Sequence, residues 1–216
     1  MTAAPRPSHR LIPSQFPPIG VFDTVATAAD LAPVFELVGW TNDRLVAERI
    51  ARLPRGEWVH GRPNASIVMA AFLHVAPGGM RFNGPDLGAW YAADDIRTAA
   101  AEVAHHLRRE AVARRLAGLA RTYRAYGAVL LGDYLDIRGQ RADVHAPDSY
   151  GPGQILGEEI RARGGAGIVY DSLRRRGGVN VVAYRPRNVT DIVQADHYEI
   201  TVSAAARQIE LRRLSR

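Results

Sequence analysis

The sequence predicts an α+β fold: a single domain on a mixed, largely antiparallel sheet, preceded by a helical N-terminal extension. Three observations point there. Segments with strand character and segments with helix character follow one another without a regular βαβ alternation. The 216 residues suffice for one sizeable core. Apolar residues at 47% and charged residues at 23% are the proportions of an ordinary globular chain.

The elements follow in order. "MTAAPRPSHRLIPSQFPPIG" holds five prolines and no apolar core of a secretory signal, so a loosely ordered lead-in is expected. "TAADLAPVFELVGWTNDRLVAERIARLP" has helical spacing interrupted at Pro33 and "GWTND", which predicts two short helices. "GEWVHGRPNAS" reads as containing a short strand, and "IVMAAFLHV" as either a strand or a buried helix. After the "PGG" turn, "GAWYAA" predicts a strand leading into a helix. Asp94 and Asp95 offer N-caps to that helix, whose Ala, Leu, Arg and Glu content carries it to Gly127. "AVLLGDYLDI" predicts a strand, "PDSYGPGQILGEEIRARGG" a capped helix closing on paired glycines, and "AGIVYDS", "GGVNVVAYRP" and "DHYEITVS" further strands. The expected division is residues 1–55 as a proline-rich and helical extension and residues 56–216 as the domain.

Composition narrows the function classes. "IVMAAFLHVA" and "GAVLLG" fall short of the ~20 apolar residues of a spanning helix, so no membrane role is expected. The absence of cysteine removes disulfides, thiolate catalysis and cysteine-based zinc sites, and suits a cytoplasmic protein. The chain carries 28 basic and 22 acidic residues, a net +6. That surface suits nucleic acid, an anionic ligand or an acidic partner, and the guanidinium fork of arginine matches phosphate.

Several chemistries lack their motifs. There is no GxGxxG, no GxxxxGK[ST], no HExxH, and the serine of "VYDSLR" is outside GxSxG. Glu102 and His105 form an ExxH on one helix face, but no second copy accompanies it, so no metal is expected. His105 and His106 read as helix-surface or partner-contact residues, and Tyr150 and Gln154 as packing or rim residues. Arg81, Tyr91 and Glu102 stand out because a turn, a strand end and a helix deliver them at intervals of 10 and 11 residues. Periodicity alone equally allows a surface cation, a core tyrosine and a solvated acid. The small alanines of "TAAAEVAHH" around Glu102 favour close approach by another group.

The succession "PGGMRFNGPDLGAWYAADDIRTAAAEVAHHL" and "DSYGPGQILGEEIRARGGAGIVYDSLRRRGGVNVVAYRP" resembles the RES-domain family over roughly Glu57 to Arg187. The resemblance implies a fold similar to that of ADP-ribosyltransferases, and a toxin of an Xre/RES toxin–antitoxin pair that destroys NAD+ by phosphorolysis or hydrolysis. Carried over by motif, it implies catalytic roles for Arg81, Tyr91, Glu102 and Ser172, and NAD+ contacts from Arg62, Arg81, Tyr91 and Ser172. The match at Arg62 departs from the pattern, since Gly61 precedes it where the family has an aromatic or aliphatic residue. The implied chemistry has guanidiniums clamping the pyrophosphate or an incoming inorganic phosphate, and Tyr91 stacking on the nicotinamide or ribose region. Glu102 would stabilise the cationic ribose, with Ser172 orienting it. The implied partner is an Xre-like antitoxin, in a complex that leaves room for a homodimer of this chain. Two alternatives stay open: an ADP-ribosyltransferase acting on a macromolecule, and a basic nucleic-acid-binding module without turnover.

Overall fold

A computed structural model describes residues 1–16, 20, 22–24, 44–147 and 149–214. Eight strands form one sheet: β1 (Ser8–Pro13), β2 (Trp90–Ala93), β3 (Gly118–Leu130), β4 (Leu135–Asp136), β5 (Gly167–Asp171), β6 (Val179–Ala183), β7 (Val189–Ser203) and β8 (Ile209–Leu214). Their order across the sheet is β4-β5-β6-β2-β1-β3-β7-β8. The β4–β5 pair is parallel and the other neighbouring pairs are antiparallel, so the mixed, largely antiparallel α+β expectation holds. Four helices accompany the sheet among the described residues: α1 (Arg44–Arg52), α2 (Ala65–Leu73), α3 (Ile96–Ala113) and α4 (Gly151–Ala162).

Alternation along the strands sends side chains to two faces. Trp90, Ala92, Tyr126, Ala128, Val181 and Ala183 pack with α2 on one face. On the other, Ala93, Tyr123 and Ala125 meet the alanine stripe of α3, while Val182 and Tyr184 meet Leu156 and Ile160 of α4. The candidate site forms on this second face, beside α3. Among the described residues no helix is long and apolar enough to cross a membrane.

The proline-rich lead-in is corrected by the structure. Residues 8–13 form β1, an interior strand that pairs with β3 over six positions and meets β2 at His9↔Ala93. Pro5 and Pro7 precede it and Pro13 ends it, so its ladder donors survive between the prolines. Asp23, also in the expected extension, accepts hydrogen bonds from the Asn64 and Ser66 amides at 2.9 and 2.8 Å and so caps α2. Of the two helices expected in the extension, α1 is the second, and the first falls outside the described residues.

Other expectations change for local reasons. "GEWVHGRPNAS" forms a single 3-10 turn at Arg55–Glu57 and then loop, because Gly61 and Asn64 take φ of 66° and 62°, outside the extended region. "IVMAAFLHV" is helix, and every residue of α2 except Ala70 is buried, so no stripe existed for periodicity to reveal. Asp95 caps α3 as expected, accepting from the Thr98 amide at 2.7 Å. That helix, however, ends at Ala113, and Arg115 at φ 56° turns the chain into β3. Pairing with both β1 and β7 overrides the helix propensity of "LAGLARTYRAYG". "AVLLGDYLDI" is split by Gly132 at φ 99° into the end of β3 and the two-residue β4. β8 was not anticipated, and its exposed edge carries Arg212 and Arg213 paired to Glu199 and Asp196 on β7.

Candidate functional site

A cleft of about 280 Å³ opens over β1 and β2, walled by α3, the 78–88 loop and the loop after β5. Glu102, in the second turn of α3, is the carboxylate that lines it among the described residues. Its Oε1 accepts from Ser172 Oγ and from Asn180 Nδ2, each at 2.7 Å. Ser172 is 9% exposed and its Oγ accepts from the Arg174 and Arg175 amides, so its proton is directed to the carboxylate. Arg175 ties the same loop to the start of α3 through Asp95 and Thr98. Among the described residues no donor meets Oε2, which leaves that oxygen for a ligand.

Arg81 reaches the opposite wall. It is 9% exposed, and one guanidinium nitrogen donates to the Val144 and Ala146 carbonyls at 3.0 and 2.8 Å. Its Cζ lies 4.9 Å from the centre of the Tyr150 ring, a cation–π contact. Among the described residues no carboxylate pairs with it, so its charge is available to an anion. The loop that carries Arg81 is held by α4: Gln154 donates to the Gly78 and Met80 carbonyls, and Glu158 accepts from the Gly84 amide. Arg161 completes the clamp by donating to the carbonyls of Leu87 and Gly88.

Tyr91 lines the cleft, but its hydroxyl is committed to that loop. It donates to Asn83 Oδ1 at 2.8 Å and accepts from the Phe82 amide at 3.0 Å. Burial pushes the phenol well above its ordinary value, so it remains a protonated donor. The hydroxyl thus positions the Arg81 loop.

The structure therefore brings Arg81, Tyr91 and Glu102 to one cleft, with Ser172 outside the lining and bonded to Glu102, so the NAD+ contact expected of Ser172 is corrected to a positioning bond. Arg62 is not with them. It lies outside the cleft lining and donates to the Val189 carbonyl at 2.9 Å, so its expected NAD+ contact is corrected. Arg10 of β1 stands in the cleft in its stead. It donates to the Tyr91 carbonyl at 2.9 Å and stacks 4.8 Å from the Trp90 ring centre, and its buried Nε meets no acceptor among the described residues. Burial pulls its guanidinium down to about 10, which leaves it charged at neutral pH. Sequence reading missed it because the prolines around β1 masked the strand. Asn180 was missed as well; its signal was one polar residue in the apolar strand "VNVVA". His105 and His106 line the cleft as well, His106 as an exposed helix-surface residue in keeping with its expected position and His105 half-buried. Among the described residues no group of three or more His, Asp or Glu side chains is arranged to hold a metal ion.

Fold and site together define a mixed-sheet domain in which a pinned carboxylate shares a cleft with guanidiniums that, among the described residues, no carboxylate pairs. The RES domain matches residues 49–203, and the chain belongs to the RES-domain family. It is 27% identical over 202 residues to the uncharacterized protein y4oC of Sinorhizobium fredii, covering 88% of this chain and 80% of that one. A chain of the M. tuberculosis MbcT-MbcA toxin-antitoxin complex is similar at 18% identity and a TM-score of 0.43, over 60% of this chain and 74% of that one.

Proposed function

We propose that the cleft takes NAD+ and breaks its nicotinamide–ribose bond, and that the chain acts as the toxin of a toxin–antitoxin pair. One observation carries the reading: Glu102 is fixed by two donors on a single oxygen, with Oε2 left open, in a cleft whose other charged lining is Arg10, Arg81 and Arg174. Cleavage of an N-glycosidic bond builds positive charge on the ribose, and a preorganised carboxylate beside it lowers the barrier. The guanidiniums of Arg10 and Arg81 suit the pyrophosphate, whose charges need planar donors. Nicotinamide leaves as a neutral ring, so the protein has to supply position and charge. Ser172 and Asn180 hold the carboxylate in place, and Tyr91 holds the loop of Arg81.

The acceptor is water or inorganic phosphate. The partner that fits the family reading and the net charge of +6 is an acidic, Xre-like antitoxin. The test is NAD+ consumption by the purified chain with and without phosphate, products identified by mass, beside Glu102→Gln. That substitution keeps the hydrogen-bonding shape and removes the charge, so turnover is expected to fall by about 100-fold or more. Wild-type turnover in Glu102→Gln would refute the site, and label from NAD+ appearing on a macromolecule would shift the reading to ADP-ribosyl transfer.

A further inference from the structure

We propose that His106 is the catalytic base that takes the proton of the attacking nucleophile when that nucleophile is water, an inference that rests on the NAD+-cleaving reading above. His106 follows Glu102 by four residues, a spacing that puts both side chains on one face of α3, and both line the cleft. The ring of His105 meets that of His106 edge to face, with centroids 5.4 Å apart and planes at 71°. His106 is exposed on the surface of α3, so water reaches its ring.

The charged groups around the ring are Glu102, His105 and Arg109 of its own helix, Arg174 of the loop after β5 and Arg81 of the 78–88 loop. Burial pulls the imidazole below its ordinary value, Glu102 opposes this, and the arginines reinforce it. The ring is therefore neutral at pH 7 and offers a lone pair. His105 is held lower still, at about 4, first by burial and then by Arg174, and Glu102 is not among its neighbours in charge. Of the two histidines, His106 is the one coupled to the catalytic carboxylate.

The step balances as follows. The N-glycosidic bond breaks and its electron pair goes to the nicotinamide nitrogen, which leaves uncharged. The water oxygen bonds to the anomeric carbon as one of its O–H bonds breaks, and that proton passes to the free nitrogen of His106. The imidazolium so formed lies beside Glu102 and releases its proton to solvent after the product departs.

The test compares water with azide, an anionic nucleophile that has no proton to lose, in wild type, His106→Asn and His106→Gln. Hydrolysis is expected to fall about 100-fold or more in both variants and to lose the acid limb of its pH profile, while azide-dependent cleavage stays within about threefold of wild type. Retained azide cleavage also shows that the variants are folded. Equal losses with the two nucleophiles, or unchanged hydrolysis with its acid limb intact, overturn the assignment. A wild-type protein inert toward NAD+ with water, phosphate and azide alike overturns the parent reading together with this one, which separates that failure from one at His106.

Discussion

Gly157→Ala tests how the cleft is held. Gly153 and Gly157 lie one turn apart on α4, and the backbone of Arg81 and Phe82 rests against them. A Cβ at Gly157 would stand 2.0 Å from the Phe82 carbonyl oxygen and 2.5 Å from the Tyr184 hydroxyl, whereas ordinary contact begins at 3.4 Å. The two backbones therefore have to part by roughly 1 Å or more. That movement carries Arg81 away from the Val144 and Ala146 carbonyls, whose bonds of 3.0 and 2.8 Å have little slack. Alanine in a helix interior normally stabilises by about 1 kcal/mol relative to glycine, so the sign of the effect is diagnostic. Overpacking here is expected to cost about 1–3 kcal/mol instead. Misplacing Arg81 by about 1 Å is expected to lower kcat/KM for the proposed NAD+ cleavage about 100-fold. The assay pairs urea unfolding with NAD+ consumption. Gly56→Ala serves as control, since a Cβ there meets nothing within 4 Å. A Gly157→Ala protein with the midpoint and turnover of wild type would refute the argument that α4 positions the Arg81 loop.

Two further outcomes are expected. Leu11→Ala, in β1 and 7% exposed, should cost about 2–5 kcal/mol in urea unfolding, since Leu11 packs under α3; an unchanged midpoint would return residues 8–13 to the status of a loose lead-in. Asp95→Ala should cost about 1 kcal/mol at neutral pH by uncapping α3. Burial alone would raise the Asp95 carboxyl; the Thr98 amide and hydroxyl and Arg175 outweigh it and leave it below its ordinary value. A depressed carboxyl stabilises above its unfolded pKa and loses that contribution as pH falls through the folded one. The gap between the two proteins should thus narrow below about pH 4, and a gap that stays constant to pH 2 would count against the cap.

What the sequence made legible was the part written in local chemistry. Asp95 announces the start of α3, and the "GG-x-RFN", "WYAA" and "YDS" segments carry Arg81, Tyr91 and Ser172 to the ends of turns and strands that face Glu102. The end of α3 was illegible because Arg, Ala and Leu in "ARRLAGLARTYR" favour helix in isolation, and only pairing with β1 and β7 makes most of that stretch a strand. Arg10 was hidden for a related reason: its neighbours in space are Trp90 and Tyr91, some 80 residues away. Arg62 illustrates the reverse error, in which a plausible local match sits beside Gly61 and Asn64 at positive φ and is turned toward Val189.

The place of β1 has a practical consequence for anyone cutting the chain into fragments. The strands β4, β5, β6 and β2 on one side, and β3, β7 and β8 on the other, are joined edge to edge through β1. A fragment trimmed to residues 49–203 would keep Arg81, Tyr91, Glu102 and Ser172 yet lose β8 and consist of two ribbons with a missing stave between them, and its cleft would lack Arg10. An assay of the proposed activity run on such a trimmed chain would report on carpentry, with the chemistry of the cleft never put on trial.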